Sequence, residues 1–152
     1  MDSGRKTLLD GIRIRLEAMP GELTVRRTAV ALFVASCAFF LIFIQFPEKV
    51  NFDEHHYIPA ARKLLEFKSP GNLEHPPLGK ELIALGMAIF GDCPLGWRFM
   101  STVFGALTVA GVYIAGLALF RMQLSGLFLA LLTLFNHMTY VQARIAMLDT
   151  FM

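Results

Sequence analysis

The chain has 152 residues, of which 55% are hydrophobic and 17% are charged, and its mean hydropathy is +0.55. Soluble domains are usually about 45–50% apolar and about 25% charged, so this composition favours a membrane protein. The formal net charge of +2 and the lack of a lysine- and arginine-rich tract argue against a nucleic-acid partner.

Residues 1–27 form a charged segment in which apolar residues recur at helical spacing. An interfacial helix on the cytoplasmic surface and a frayed polar tail both fit this pattern, and the sequence leaves both open. Residues 28–46 carry no charge and are long enough to cross a hydrocarbon core of about 30 Å. Because Arg26 and Arg27 precede this first transmembrane helix, we predict a cytoplasmic N-terminus.

Residues 47–97 are predicted to form an extracytoplasmic loop, in which two adjacent carboxylates, three histidines and a lysine cluster. Residues 57–67 have an amphipathic helical pattern with Pro59 in the first turn, and residues 69–72 are predicted to turn. A second helix at residues 78–90 is too short to span the bilayer and is predicted to lie at the interface. Its predicted apolar face consists of Leu82, Ile83, Leu85, Gly86 and Ile89.

The second transmembrane helix is predicted at residues 98–120, with Trp97 as an interface anchor. A third, shorter transmembrane helix is predicted at residues 124–135, and residues 136–152 are predicted to form a loop and the start of a fourth helix. Because no stop signal follows that start, we expect the chain to be part of a longer protein. Small residues four apart predict close helix packing in the second span: Ala106 with Ala110, and Gly111 with Ala115.

Four blocks of residues carry a family resemblance: Phe52-Asp53-Glu54-His55-His56-Tyr57, His75-Pro76-Pro77-Leu78-Gly79-Lys80, Trp97-Arg98-Phe99 with Gly105-Ala106-Leu107-Thr108-Val109, and Arg144-Ile145-Ala146-Met147-Leu148-Asp149. With these blocks the chain resembles the protein O-mannosyltransferase family, membrane glycosyltransferases of the GT-C fold, from about residue 28 onward. The resemblance implies an all-α integral membrane protein. It would be the N-terminal part of a GT-C multi-span helical bundle, with a large first extracytoplasmic loop containing interfacial helices.

Members of that family transfer a sugar from a polyprenyl or dolichyl phosphate to a hydroxyl with inversion. The resemblance therefore implies transfer of mannose to a protein Ser or Thr hydroxyl, with the lipid bilayer as the third partner. A lipid or glycan acceptor and a non-catalytic, truncated membrane subunit remain alternatives, and association into a membrane oligomer stays open. We expect the 152-residue chain alone to be inactive. We place it in a bacterial plasma membrane with the loop facing the periplasm, or in the ER membrane of a eukaryote.

The catalytic residues that the resemblance implies are Asp53 and Glu54. A carboxylate within reach of the acceptor hydroxyl can act as general base, which is worth about 10²- to 10⁴-fold. The family places that role on Asp53, with Glu54 in support, and side-by-side charges should raise the proton affinity of the pair. Arg98 and Lys80 are the predicted ligands of the donor phosphate. A snorkelling arginine and a solvated lysine are the simpler alternatives.

Four further residues are predicted to support the site. They are His56 and His75 in the loop, and Arg144 and Asp149, which we expect to pair and hold the third loop against the first. Together with His55, the two loop histidines and the carboxylates invite a metal interpretation. Because adjacent histidines point different ways, no metal ligand and no certain cofactor are assigned, and a requirement for a divalent cation stays open.

Overall fold

The computed structural model describes residues 20–51, 53–69 and 75–151, and within these ranges the protein is helical without any β-strand. This confirms the all-α prediction at the level of secondary structure. The predicted helix of the N-terminal segment and most of the predicted turn at 69–72 lie outside the described residues. The helices are α1 (Glu22–Leu41), α2 (Glu54–Leu65), α3 (Pro77–Phe90), α4 (Pro94–Phe120), α5 (Gln123–Leu134), α6 (His137–Gln142) and a 3₁₀ helix, η1 (Leu148–Phe151).

Two of these helices are long and apolar enough to cross a membrane, α1 with 20 residues and α4 with 27. At 1.5 Å per residue they measure about 30 Å and about 40 Å, against a hydrocarbon core of about 30 Å. Together they indicate a membrane protein. The predicted third span corresponds to α5, which is apolar but has only 12 residues and therefore reaches only about 18 Å. The first span begins at Glu22 and ends at Leu41, earlier than the predicted 28–46.

The long helix α4 is the centre of the described fold, because it packs against α1, α3 and α5 and also contacts α6 and η1. The predicted small-residue pair Ala106 and Ala110 is buried, whereas Gly111 has open space around it. Close approach occurs instead at Gly105, where an added Cβ would collide with Ala143 in the segment after α6. That contact brings the chain that follows α6 directly against α4.

A second layer is formed by α2 and α3: α3 packs on α4, with Gly86 against Gly96 near the N-terminal end of α4, and α2 packs on α3. Ile83 and Met87 of α3 point into its core, but Leu85 and Ile89 are exposed. The predicted apolar face of α3 was therefore partly wrong, since the helix has one apolar side toward the protein and another toward its surroundings. Trp97 was predicted as an interface anchor, yet it is buried in this core.

The helix α2 begins at Glu54 rather than at residue 57, which places Pro59 inside the helix instead of in its first turn. Its buried side chains include Tyr57, Ile58 and Ala61, which pack in the same core as α3. This earlier start matters because it places the adjacent carboxylates at the beginning of a helix.

Candidate functional site

The loop and α4 are joined by a buried ion pair between Glu54 and Arg98. Arg98 donates from Nε to Glu54 Oε1 at 2.7 Å and from Nη2 to Oε2 at 2.9 Å. The relative exposure of the two side chains is 0% for Glu54 and 2% for Arg98. The two residues are 44 positions apart in the chain, and this bidentate contact closes the segment between them into a loop. Such fork-to-fork geometry is among the stronger hydrogen-bonded arrangements in proteins.

The remaining donors of the Arg98 guanidinium bind the backbone between α1 and α2. Nη1 donates to the carbonyls of Ile44 at 2.9 Å and Pro47 at 3.0 Å, and Nη2 reaches the carbonyl of Lys49 at 3.4 Å. A guanidinium carries five N–H donors, so protein acceptors engage all of them. In this structure the predicted phosphate ligand Arg98 therefore lies enclosed and fully hydrogen-bonded.

Each oxygen of the Glu54 carboxylate accepts two hydrogen bonds. Besides those from Arg98, the carboxylate accepts hydrogen bonds from the backbone N–H of Asn51 at 3.0 Å and of Ala146 at 3.0 Å. Burial alone would raise the pKa of Glu54, but the hydrogen bonds from Arg98, Ala146 and Asn51 and the Arg98 charge outweigh it and lower the pKa. The expectation that neighbouring carboxylates raise the proton affinity of the pair is thus wrong for Glu54.

Asp53 is placed very differently from its neighbour. Its side chain is half-buried and, in the described part of the chain, accepts no capping hydrogen bond at the start of α2. Its backbone carbonyl accepts from the N–H of Tyr57 at 3.1 Å, so Asp53 and Tyr57 lie one helical turn apart on the same face. The adjacent carboxylates therefore separate into a fully bonded Glu54 and an accessible Asp53.

A pocket of about 210 Å³ lies beside Tyr57, where α2, the start of α3 and η1 meet. Three of the residues that line it are polar, namely Tyr57, His75 and Asp149. The others are Pro76, Leu78, Gly79, Leu148 and Phe151. The blocks beginning at residues 52, 75 and 144 are far apart in the chain and all contribute to it. Burial, followed by the charges of Asp53 and Asp149, raises the pKa of Tyr57.

Lys80 holds the backbone of His75, one of the residues that line this pocket. Lys80 is buried, and its Nζ donates to the backbone carbonyl of His75 at 3.0 Å. The His75 ring packs edge-on against Tyr57, with ring centroids 5.8 Å apart. His55 and His56 are exposed on α2. Across the described residues, no group of three His, Cys, Asp or Glu side chains is arranged to hold a metal ion.

The structure does not pair Arg144 with Asp149. Arg144 donates to the hydroxyl of Tyr140, and its guanidinium lies over that ring, 4.8 Å from the centroid. Asp149 is exposed on η1 and, within the described ranges, forms no ion pair. The loop is instead tied to the segment after α6 through the Ala146 N–H bonded to Glu54.

Another ion pair, absent from the sequence-based predictions, joins α2 to the turn between α3 and α4. Arg62 binds Asp92 through two hydrogen bonds of 2.7 and 3.1 Å, and Trp97 Nε1 donates to the same carboxylate at 2.6 Å. The hydrogen bond from Arg62 is the main reason that the pKa of Asp92 is lowered, with Trp97 adding to it against the effect of burial. The sequence feature that could have indicated this contact is Asp92, an acidic residue five positions before Trp97.

Comparison with known proteins places these residues in a family context. A sequence model of the dolichyl-phosphate-mannose-protein mannosyltransferase family matches residues 74–152. Three relatives share the name polyprenol-phosphate-mannose–protein mannosyltransferase. Those of Mycobacterium tuberculosis and Mycolicibacterium smegmatis are 38% and 37% identical over 107 residues, and that of Corynebacterium glutamicum is 34% identical over 113 residues.

Each of these alignments covers 66% of this chain but only 20%, 21% and 22% of the respective relative. The chain thus spans about a fifth of the length of the curated relatives it matches. No solved structure matches the chain.

Proposed function

Because the chain belongs to the dolichyl-phosphate-mannose-protein mannosyltransferase family, we propose that the full protein transfers mannose from a polyprenyl-phosphate carrier to a protein hydroxyl, and that this chain supplies its catalytic loop. The names of the relatives support the donor and the protein acceptor. The structural observation that carries the proposal is Asp53, a half-buried carboxylate one helical turn before Tyr57 of the pocket wall, next to Glu54, whose carboxylate is fully hydrogen-bonded.

In the proposed reaction, the main role of this loop is to activate the acceptor hydroxyl. The hydroxyl oxygen attacks C1 of the mannose from the face opposite the phosphate, and its proton passes to the Asp53 carboxylate. The bond between C1 and the phosphate oxygen breaks, and its electron pair leaves with the lipid phosphate. A phosphate leaving group needs little protonation, so a single general base is sufficient. Such a base contributes about 10²- to 10⁴-fold.

Glu54 and Arg98 are proposed as positioning residues. Their ion pair, with the carbonyls and N–H groups bound to it, connects the end of α1, the start of α2, α4 and the segment before η1. Asp53 adjoins Glu54 in the chain, so the pair sets where the base stands. We also propose that Lys80 positions His75 through its carbonyl, in place of the expected phosphate contacts of Arg98 and Lys80.

The proposed orientation puts the pocket outside the cytoplasm. Arg26 and Arg27 lie near the start of α1, and Arg121 follows the end of α4. Since these antiparallel helices return the chain to the same side, the three positive residues are expected in the cytoplasm. The loop would then face the periplasm of a bacterium, with the exposed Leu85 and Ile89 of α3 at the membrane interface, where donor lipid and protein acceptor meet.

The test uses the full-length protein, purified in detergent, with radiolabelled polyprenyl-phosphate-mannose and a peptide that contains Ser and Thr. We expect label in the peptide, with the anomeric configuration of the mannose opposite to that in the donor. A peptide with alanine at every Ser and Thr controls for other attachment sites and should stay unlabelled. Label that enters lipid or glycan but not peptide, or no transfer at all, would contradict the proposed function.

A further inference from the structure

We propose that the pocket at the junction of α2, α3 and η1 binds a hydroxyl-bearing group of a substrate, with Tyr57 as hydrogen-bond donor and Asp149 as acceptor. This inference rests on the proposed function and deepens it, because it assigns substrate-binding side chains in addition to the proposed base. Tyr57 and Asp149 have no such role in the sequence-based expectations, which paired Asp149 with Arg144.

Tyr57 is suited to hold a ligand because its ring is fixed while its hydroxyl stays accessible. The residue is 6% exposed and forms part of the core between α2 and α3. The edge-on contact with His75 sets the plane of the ring. The phenol hydroxyl has no hydrogen-bond partner in the described structure, and it is not among the fully enclosed polar atoms. A phenol at a pocket wall can donate one hydrogen bond and accept others.

Asp149 supplies the complementary acceptor. It lines the same pocket from η1, and its side chain is engaged in no ion pair within the described residues. Its charge is close enough to contribute to the raised pKa of Tyr57, after burial and Asp53. Tyr57 therefore stays protonated as a donor. An ionised carboxylate only accepts hydrogen bonds, and a substrate hydroxyl both donates and accepts, so Tyr57 and Asp149 together satisfy it.

The pocket is held in shape by contacts that do not involve a ligand. An added Cβ at Gly79 would collide with Leu148, so α3 and η1 approach as closely as a glycine allows. Thr150 donates to the carbonyl of Gln142 at 2.8 Å. The ring of Phe151 packs edge-on against Phe104 of α4 at 5.1 Å. Sites of this kind, mostly apolar with a few placed polar groups and formed before binding, are typical of small-ligand pockets.

Two substrates of the proposed reaction carry hydroxyls, the mannose of the donor and the Ser or Thr of the acceptor. The pocket recognises a hydroxyl group, which both substrates carry, and kinetic measurements distinguish whether it belongs to the donor or to the acceptor. If the pocket holds the sugar, loss of Tyr57 or Asp149 raises KM for the donor. If it holds the acceptor, the same loss raises KM for the peptide, and the hydroxyl held there is not the attacking one, because the single proton of the attacking hydroxyl goes to Asp53.

The experiment compares Tyr57→Phe and Asp149→Asn in the full-length protein. Each substrate is varied while the other is saturating, and binding of polyprenyl-phosphate-mannose and of the peptide is measured separately without turnover. Tyr57→Phe keeps the ring and its contact with His75. We expect kcat/KM to fall about 3- to 10-fold for Tyr57→Phe and about 10- to 100-fold for Asp149→Asn, with weaker binding of the same substrate in both variants.

Matched controls come from residues outside the pocket. Tyr113→Phe removes a buried hydroxyl that has no hydrogen-bond partner among the described residues, and Glu81→Gln neutralises an exposed carboxylate on α3. Both should leave kinetics and binding unchanged. The inference is overturned if the two pocket variants fold normally and keep binding and both KM values within about twofold of wild type. If the wild-type protein binds donor and peptide yet transfers no mannose, the proposed function fails while the binding measurements still decide the inference.

Discussion

Removing one partner of the Glu54–Arg98 pair should destabilise the full-length protein strongly. Glu54 accepts four hydrogen bonds, two from Arg98 and two from backbone N–H groups. Glu54→Gln leaves one carbonyl oxygen, which can accept two of them, and it leaves the Arg98 charge buried without a counter-ion. Breaking a buried pair in this way costs about 3–5 kcal/mol. We expect a loss of that size for Glu54→Gln and for Arg98→Met.

The assay is reversible denaturant unfolding in detergent, followed by circular dichroism. Arg62→Gln is the matched control, because Arg62 and Asp92 form a similar bidentate contact with side chains 44% and 48% exposed. Exposed pairs contribute about 0–1 kcal/mol. The double variant Glu54→Gln with Arg98→Met should lose less than the sum of the single losses, since neither charge remains unpaired. A loss for Glu54→Gln no larger than for Arg62→Gln would refute the reasoning.

Three further predictions concern the pH dependence of the Glu54 contacts, the close approach at Gly79 and the topology of the chain. The pKa of Glu54 is lowered on folding. The stabilisation that its ionised carboxylate gives should therefore be complete above its unfolded pKa of about 4.3 and be lost as pH falls through the lower folded pKa. The free energies of unfolding of wild type and Glu54→Gln, measured against pH, should converge in acid. Gly79→Ala should displace η1 and cost about 1–3 kcal/mol, whereas Gly111→Ala, with open space around it, should be neutral in the same unfolding assay. An introduced cysteine at His75 should react with an impermeant reagent in intact cells and one at Arg5 should not; the reverse result would invert the topology.

The helices were largely predictable because their signals are local. An uncharged apolar stretch and its flanking arginines indicate α1 without any tertiary information. The boundaries were harder, since Glu22 extends α1 by a turn and a half before the uncharged stretch. The faces of α3 were the least predictable, because this helix has apolar residues on two sides. Periodicity alone cannot tell whether Ile83 or Ile89 meets the protein.

The candidate site was predictable as a set of residues but not as a set of contacts. Arg98 and Glu54 are 44 positions apart, and nothing in the sequence around Arg98 says that a carboxylate meets it there. A basic residue at a membrane edge suggested a phosphate ligand, whereas α4 buries it under the loop. In the same way Asp149 reaches the pocket only because η1 packs on Gly79, which is a tertiary contact.

The central claim is that Asp53, and not its neighbour, receives the proton of the acceptor. The most direct measurement is the single-turnover rate of mannose transfer by the full-length enzyme loaded with donor, for Asp53→Asn and for Glu81→Gln as control. We predict a rate at least about 100-fold lower for Asp53→Asn, with donor affinity and unfolding behaviour nearly unchanged. A near-normal rate for folded Asp53→Asn would contradict the account, and abolition of the rate in folded Glu54→Gln would transfer the role to Glu54.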